Sequence, residues 1–312
     1  MEIEDLIAGV LSGERRAVAR AISLVEDGDP GLEALSAGIY AATGTAGTIG
    51  LTGAPGVGKS TLGTELVRIA RGENLRIGVL AVDPTSPYTG GALLGDRVRM
   101  QEHATDPDVF IRSMATRGHL GGMALAAPEA VRILDAAGYA RVIVETVGVG
   151  QAELDVAAAT DTAVVVLAPG LGDAVQMAKA GILEIADIFA VNKADREGAS
   201  DVVRELRQML RLGGAREWEP PILETSALHR EGVDELWSAV QAHRAYLQGS
   251  GVLEVKRRAR LLREVEALAA EHFRVDAAAW LSGEPELAAD LAAGRLDPYA
   301  AAAMLVSKAA GP

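Results

Sequence analysis

The sequence predicts an α/β protein with a mostly parallel central sheet flanked by helices and further helices at both ends. Three observations carry that expectation. From about Thr48 onward, short β-branched runs alternate with helical stretches. The glycine-rich segment GAPGVGKS, Gly53 to Ser60, lies between the apolar run Thr48–Thr52 and the helix-like TLGTELVRIA. Helical spacing without strands marks residues 1–42 and the chain beyond Gly251.

At the start, Ile3, Leu6, Ile7, Val10 and Leu11 recur at helical spacing, as do Ala21, Ile22 and Val25, giving an N-terminal helical segment over 1–44. Residues 45–250 form the expected nucleotide domain. Its strand-like runs are Thr48–Thr52, Ile77–Asp83, Val109–Met114, Arg141–Glu145, Thr162–Leu167, Ile188–Asn192 and Ile222–Thr225. Strands linked by helices pair in parallel and are covered on both faces. Ligands of such sheets bind outside the carboxyl ends of the strands. Thr52, Asp83, Glu145, Ala168, Asn192 and Thr225 end or follow these runs, so that edge is the expected active face. After Ser250-Gly251, Leu253, Leu261, Leu262, Val265, Leu268 and Phe273 mark a long helix, with shorter helices over 276–308. This 251–312 extension has too little apolar surface to fold alone, and so packs on the main domain or on another subunit.

The chain of 312 residues is 49% hydrophobic and carries a formal charge of −13. That charge disfavours nucleic acid and anionic membranes as partners. There are no cysteines, which excludes disulfides and thiolate metal sites and agrees with a cytoplasmic setting. The apolar runs are far shorter than the ~20 residues a bilayer needs. The N-terminus has acids where a secretory signal has basic residues.

GAPGVGKS fits G-x-x-x-x-G-K-[ST], the P-loop pattern, between strand and helix as its mechanism requires. The backbone of Gly53, Ala54, Pro55, Gly56, Val57 and Gly58, with an N–H at each position but Pro55, shapes a phosphate cradle that continues into Lys59, Ser60 and Thr61. Lys59 is placed for the β- and γ-phosphates and the Ser60 hydroxyl for Mg²⁺, with the helix N-terminus facing the anion. Asp83 closes RIGVLAVD and Glu145 closes RVIVE at the start of ETVG. Carboxylates there suit Mg²⁺ binding or orientation of the attacking water. Gly148 then brings its N–H toward the γ-phosphate.

Asn192-Lys193-Ala194-Asp195 follows DIFAV and gives N-K-x-D. A carboxylate at Asp195 accepts from both N1–H and N2–H of guanine, a donor pair adenine lacks. Asn192 braces the loop, the Lys193 stem covers the ring, and a backbone N–H in Thr225-Ser226-Ala227 faces the guanine O6. The expected nucleotide is GTP, cycling to GDP, and the expected reaction is its hydrolysis.

GAPGVGKST, AVDPTSP, ATRGHLGGMA, ETVGVGQAE, APGLGD with QMAKAG, and NKAD occur in that order. Together they closely resemble the MeaB/ArgK-type GTPases, chaperones of adenosylcobalamin-dependent acyl-CoA mutases such as methylmalonyl-CoA mutase. The resemblance covers essentially the whole chain, and VDPTSP, ETVGVGQ and the APGLGD-to-QMAKAG block are its most specific parts. It implies a homodimer with a C-terminal dimerisation arm, and a GTPase that gates cofactor loading and rescue of the mutase. It adds Asp96 to the magnesium and catalytic set of Lys59, Ser60, Asp83 and Glu145. It also makes the region of Gln176 and Lys179 a switch that communicates with the mutase. Members described as amino-acid transport kinases share these motifs. The strand VFIRSM between VDPTSP and RVIVE departs from the Ras-like order. Arg97, Arg99, Arg117 and His119 are weaker candidates near the site. Competing readings are a nickel-type metal-insertion GTPase, which the lack of cysteine disfavours, a nucleotide-locked scaffold, and a small-molecule kinase.

Overall fold

The computed structural model describes residues 2–84, 101–103, 105–116, 122–146, 152–170, 182–212, 214 and 216–309. Seven strands form one all-parallel sheet: β1 (Gly47–Thr52), β2 (Ile77–Pro84), β3 (Val109–Thr116), β4 (Arg141–Thr146), β5 (Thr162–Leu167), β6 (Ile188–Val191) and β7 (Ile222–Glu224). Their order across the sheet is β3-β2-β4-β1-β5-β6-β7. The runs read from sequence match these strands to within two residues at each end. β4 lies between β1 and β2, which sets Glu145 beside Leu51 on one side and Ala81 on the other.

The helices are α1 (Ile3–Leu11), α2 (Arg15–Asp27), α3 (Leu32–Ile39), α4 (Lys59–Gly72), α5 (Gly122–Ala136), α6 (Ala152–Ala159), α7 (Ile182–Ile185), α8 (Ala199–Leu212), α9 (Val233–Ser250), α10 (Val252–Gly283), α11 (Pro285–Ala292) and α12 (Pro298–Ala309). Every residue of β1 and β5 is buried, as expected of central strands covered on both faces. On one face, Leu6 and Val10 of α1 and Val18 and Ile22 of α2 share a core with Ile133 of α5 and Val144 of β4. The first helices therefore cover the sheet. On the other face, Leu62 and Leu66 of α4 pack with Leu51, Val164 and Trp237. Leu11, read from sequence as part of the apolar stripe, is exposed.

The chain divides into two compact units, Met1–Arg258 and Ala259–Pro312, with the division inside α10. In the first unit, the second turn of α10 places Lys256 and Arg257 at the amino edge of the sheet. Arg257 pairs with buried Asp161 at 2.6 Å and donates to the Ala46 carbonyl at 2.7 Å. Lys256 pairs with Asp187 at 3.2 Å. Beside them, buried His243 of α9 meets Thr162 Oγ1 at 2.9 Å and Asp187 at 3.3 Å, and the Trp218 ring packs on it at 4.8 Å. In the second unit, Phe273 and Trp280 pack edge to face and Lys308 pairs with Glu284 at 2.9 Å. α10 runs without a break to Gly283, past the point where the apolar spacing suggested that shorter helices begin. The segment DAAAWLS holds no glycine or proline, so nothing stops the helix before Gly283 and Pro285.

Candidate functional site

The carboxyl edge of the sheet gathers Thr52, Glu145, Ala168, Asn192 and Thr225, all buried. Beyond β1 the chain must turn sharply under β5. Gly53 does so at φ +135°, and a Cβ on it would lie 2.1 Å from the Val166 carbonyl oxygen, so a side chain is sterically barred. Gly58 has φ +100°, and a Cβ there would lie 2.4 Å from Asn192 Nδ2. Val57 between them is buried in the core, which anchors a loop whose Pro55 and Gly56 are exposed. The turn delivers Lys59, Ser60 and Thr61 as the first residues of α4.

Lys59 is only 7% exposed, and its Nζ donates to the carbonyls of Gly53 at 2.6 Å and Ala54 at 3.1 Å. The amine thus lies inside its own loop, next to the backbone that a phosphate would meet. Glu145 is 2% exposed at the end of β4, one strand from the loop. Asp83 lies at the end of β2, in register with Ala115 of β3; its side chain is outside the described portion. Asp96, Arg97, Arg99, Arg117, His119, Gly148, Gln176 and Lys179 lie outside the described residues.

The second half of the site is tied directly to the first. Asn192, 2% exposed, donates from Nδ2 to the Val57 carbonyl at 2.8 Å. Its Oδ1 accepts from the Ala227 N–H at 3.1 Å and from Thr225 Oγ1 at 3.3 Å. Lys193, at φ +58°, donates from Nζ to the Gly56 carbonyl at 2.6 Å. Asp195 accepts at Oδ1 from Ser226 Oγ at 2.6 Å, and that hydroxyl holds its carboxyl below the usual carboxylate range. The carboxylate is thereby kept charged and pointed. The N–H groups read from sequence as donors to O6 are directed at protein acceptors: Ser226 at the Glu231 carbonyl and Ala227 at Asn192. They hold the loop in shape.

Two further features belong to the site, and of them only the edge position of Thr52 was read from sequence. Buried Glu65 of α4 accepts from Arg230 at 3.2 Å and Arg68 at 2.6 Å, which ties the loop after β7 to the helix after the phosphate loop. No motif marks the pair with Arg230, because its members are 165 positions apart. The hydroxyls of Thr52 and Thr146 are buried at the same edge without a hydrogen-bond partner among the described residues. Their positions as last residues of β1 and β4 were the only available signal.

The arrangement supplies a backbone cradle with a buried amine, an adjacent buried carboxylate, and a second loop bearing a directed carboxylate. The oxygen donors of Ser60 and Glu145 are of the type that a hard divalent cation takes.

The profile of the family described as methylmalonyl Co-A mutase-associated GTPase MeaB matches residues 18–280. A putative GTPase of Pyrococcus horikoshii is 50% identical, with 99% of each chain covered. The mouse methylmalonic aciduria type A homolog, mitochondrial, is 34% identical over 82% of this chain and 66% of its own. The crystal structure of a protein described as LAO/AO transport system kinase superposes with a TM-score of 0.69 at 28% identity, covering 98% of this chain and 96% of that one. That structure, the parallel sheet and the loop after β1 agree on a P-loop nucleotide fold. With the profile match spanning most of its length, this chain belongs to the MeaB family of GTPases.

Proposed function

We propose that this GTPase is a chaperone of an adenosylcobalamin-dependent acyl-CoA mutase, with methylmalonyl-CoA mutase the first candidate, and that GTP hydrolysis gates cofactor loading and rescue. The observation that carries this reading is the family match over residues 18–280, whose description names association with that mutase. The mouse relative's name points to the same metabolism. In this reading the protein is a cytoplasmic homodimer. Among the described residues no helix is long and apolar enough to cross a membrane.

Within the site, Lys59 neutralises charge on the β- and γ-phosphates when it leaves its loop carbonyls. Ser60, Glu145, Asp83 and Asp96 would hold Mg²⁺, directly or through water, and the ion would supply positive charge beside the transferring phosphoryl group. Glu145, buried where it stands, also orients the attacking water. Asp195 reads the guanine N–H pair, and Asn192 and Lys193 hold its loop to the phosphate loop.

The test is co-elution of the purified chain with candidate mutases in the presence of a GTP analogue, followed by phosphate release with and without the partner. A mutase that binds in a nucleotide-dependent way and speeds release supports the proposal. Absence of any complex or stimulation across methylmalonyl, isobutyryl and ethylmalonyl mutases would remove it. The relative of known structure is described as a kinase, which favours one second reading, phosphate transfer to a small molecule. Labelled γ-phosphate found on an acceptor, where water is expected to receive it all, would establish that alternative.

A further inference from the structure

Three non-glycine residues among those described have a positive φ: Asn74 just past α4, Lys193 and Arg230. Asparagine takes that backbone readily, whereas lysine and arginine do so at a cost. Lys193 and Arg230 share a second property. Each stands in one of the two loops around Asp195 and sends its cationic end to the phosphate half of the site. Lys193 reaches the Gly56 carbonyl at 2.6 Å, and Arg230 reaches Glu65 of α4 at 3.2 Å.

Arg230 lies in a loop that closes on itself. Ser226 and Glu231 exchange backbone hydrogen bonds at 2.9 and 3.1 Å, and Gly232 turns the chain into α9 where a Cβ would lie 2.1 Å from the Glu224 carbonyl oxygen. A position fixed at residue 230 is thus passed to Ser226, whose hydroxyl points Asp195, and to Ala227, whose N–H holds Asn192. At the other end, Glu65 lies six residues beyond Lys59 on α4, about 9 Å along the same helix. Its carboxylate is buried, and Arg68 already pairs with it from the next turn at 2.6 Å. Neutralising Glu65 therefore does not call for a second guanidinium, 165 positions away on a strained backbone. With 57% of its side chain exposed, Arg230 also adds little stability as an ion pair. What the contact does supply is a fixed distance between α4 and the loop that points Asp195.

We propose that Arg230 is a specificity-positioning residue: by holding Glu65 it keeps the Ser226–Ala227 segment at the distance from α4 at which Asp195 meets both N–H groups of guanine. This rests on the proposed role of Asp195 in reading the base. The group that reports on it is the 2-amino group, which inosine nucleotides lack while keeping N1–H. A carboxylate held in register with both donors favours GDP over IDP. One that is free to shift keeps the N1–H bond and loses much of that preference.

Calorimetry with GDP and IDP on the full chain, at saturating Mg²⁺, measures the preference without turnover. The parent is expected to bind GDP about tenfold more tightly than IDP. Arg230→Gly removes the guanidinium and suits the left-handed backbone, whereas Arg230→Ala removes it and keeps the strain. Both are expected to lower the preference about threefold, chiefly by weakening GDP. Arg204→Ala, at an exposed ion pair of α8 with Asp201, should keep the parent ratio. Unfolding midpoints within about 2 °C of the parent show that the substitutions leave the fold intact. A parent ratio retained by Arg230→Gly overturns the proposal, even where Arg230→Ala loses it, since the backbone and not the ion pair would then set the preference. Asp195→Asn, measured alongside, separates the two readings. Loss of the preference in Asp195→Asn with its retention in Arg230→Gly leaves Asp195 as the base reader and removes Arg230 alone. A parent without preference, or an Asp195→Asn variant that keeps it, removes both.

Discussion

Lys59 is a buried cation held by two carbonyls, and its charge is the one fixed positive group that the described phosphate loop offers. Lys59→Ala is expected to lower the hydrolysis rate at least 100-fold, about 2.7 kcal/mol in barrier, and to weaken GTP binding. Phosphate release at the parent rate would remove the residue from the site. Asp195 is held charged by Ser226, so Asp195→Asn replaces a directed acceptor with an amide that opposes the guanine N–H pair. GTP affinity should fall about 100-fold, while xanthosine triphosphate, with a carbonyl at C2, should gain. Calorimetry with both nucleotides checks this, and an unchanged preference for GTP would place base recognition elsewhere. His243 gives a prediction of a different kind. Burial pushes its pKa below the ordinary value near 6.5, against the opposing pull of Asp187. The folded state therefore refuses a proton that the unfolded chain accepts. Its contribution to stability is complete above about pH 6.5 and is lost as pH falls from there toward the lowered folded value. The unfolding midpoint should drop between pH 7.5 and 5.5, and His243→Gln should flatten that drop.

At the scale of elements, the strands were legible because buried parallel strands are written as local apolar runs, and the two loops because their chemistry lies in consecutive residues. The Gly53 turn and the N-K-x-D segment needed no tertiary knowledge. What joins them was not legible: Asn192 meets Val57 across 135 positions and Arg257 meets Asp161 across 96. Such pairs are set by strand order, and a single sequence carries no local mark of it. The extent of α10 was missed for the opposite reason, since an alanine-rich stretch continues a helix without showing a stripe. The QMAKAG segment stays a reading from sequence. Gln176 and Lys179, three apart, share a face if that segment is helical. Replacing both by Ala is expected to leave intrinsic hydrolysis within about threefold, below ~1 kcal/mol in barrier, and to reduce stimulation by the proposed mutase partner. Phosphate release at saturating GTP, with and without the partner, decides. Full stimulation in the double variant would return the pair to an ordinary solvated surface.

For the whole molecule, the two units make two truncations informative. Leu262, Val265 and Leu268 of α10 are exposed in the single chain, an apolar surface that a second copy would cover in the proposed homodimer. Ending the chain after Arg258 keeps Lys256 and Arg257 and should yield a folded monomer. Ending it after Ser250 also strips buried Asp161 of its guanidinium partner, and should cost a further 3–5 kcal/mol, roughly the penalty for breaking a buried pair. Light scattering and denaturant melts of the two truncations test both statements. A dimer that survives the loss of 259–312 would locate its contact on the first unit.

The bridge from Asn192 to Val57, with Lys193 on Gly56, makes the two halves of one ligand cooperate. A molecule that settles the phosphate loop also settles the loop proposed to read the base, so the ordering cost is met once for both. Guanosine and pyrophosphate offered as separate pieces should each bind far more weakly than their share of GDP's affinity. Adding one piece should tighten the other, and Asn192→Ala should make them indifferent to each other. In the proposed site, selectivity for the base would then be amplified by phosphate binding at the other loop.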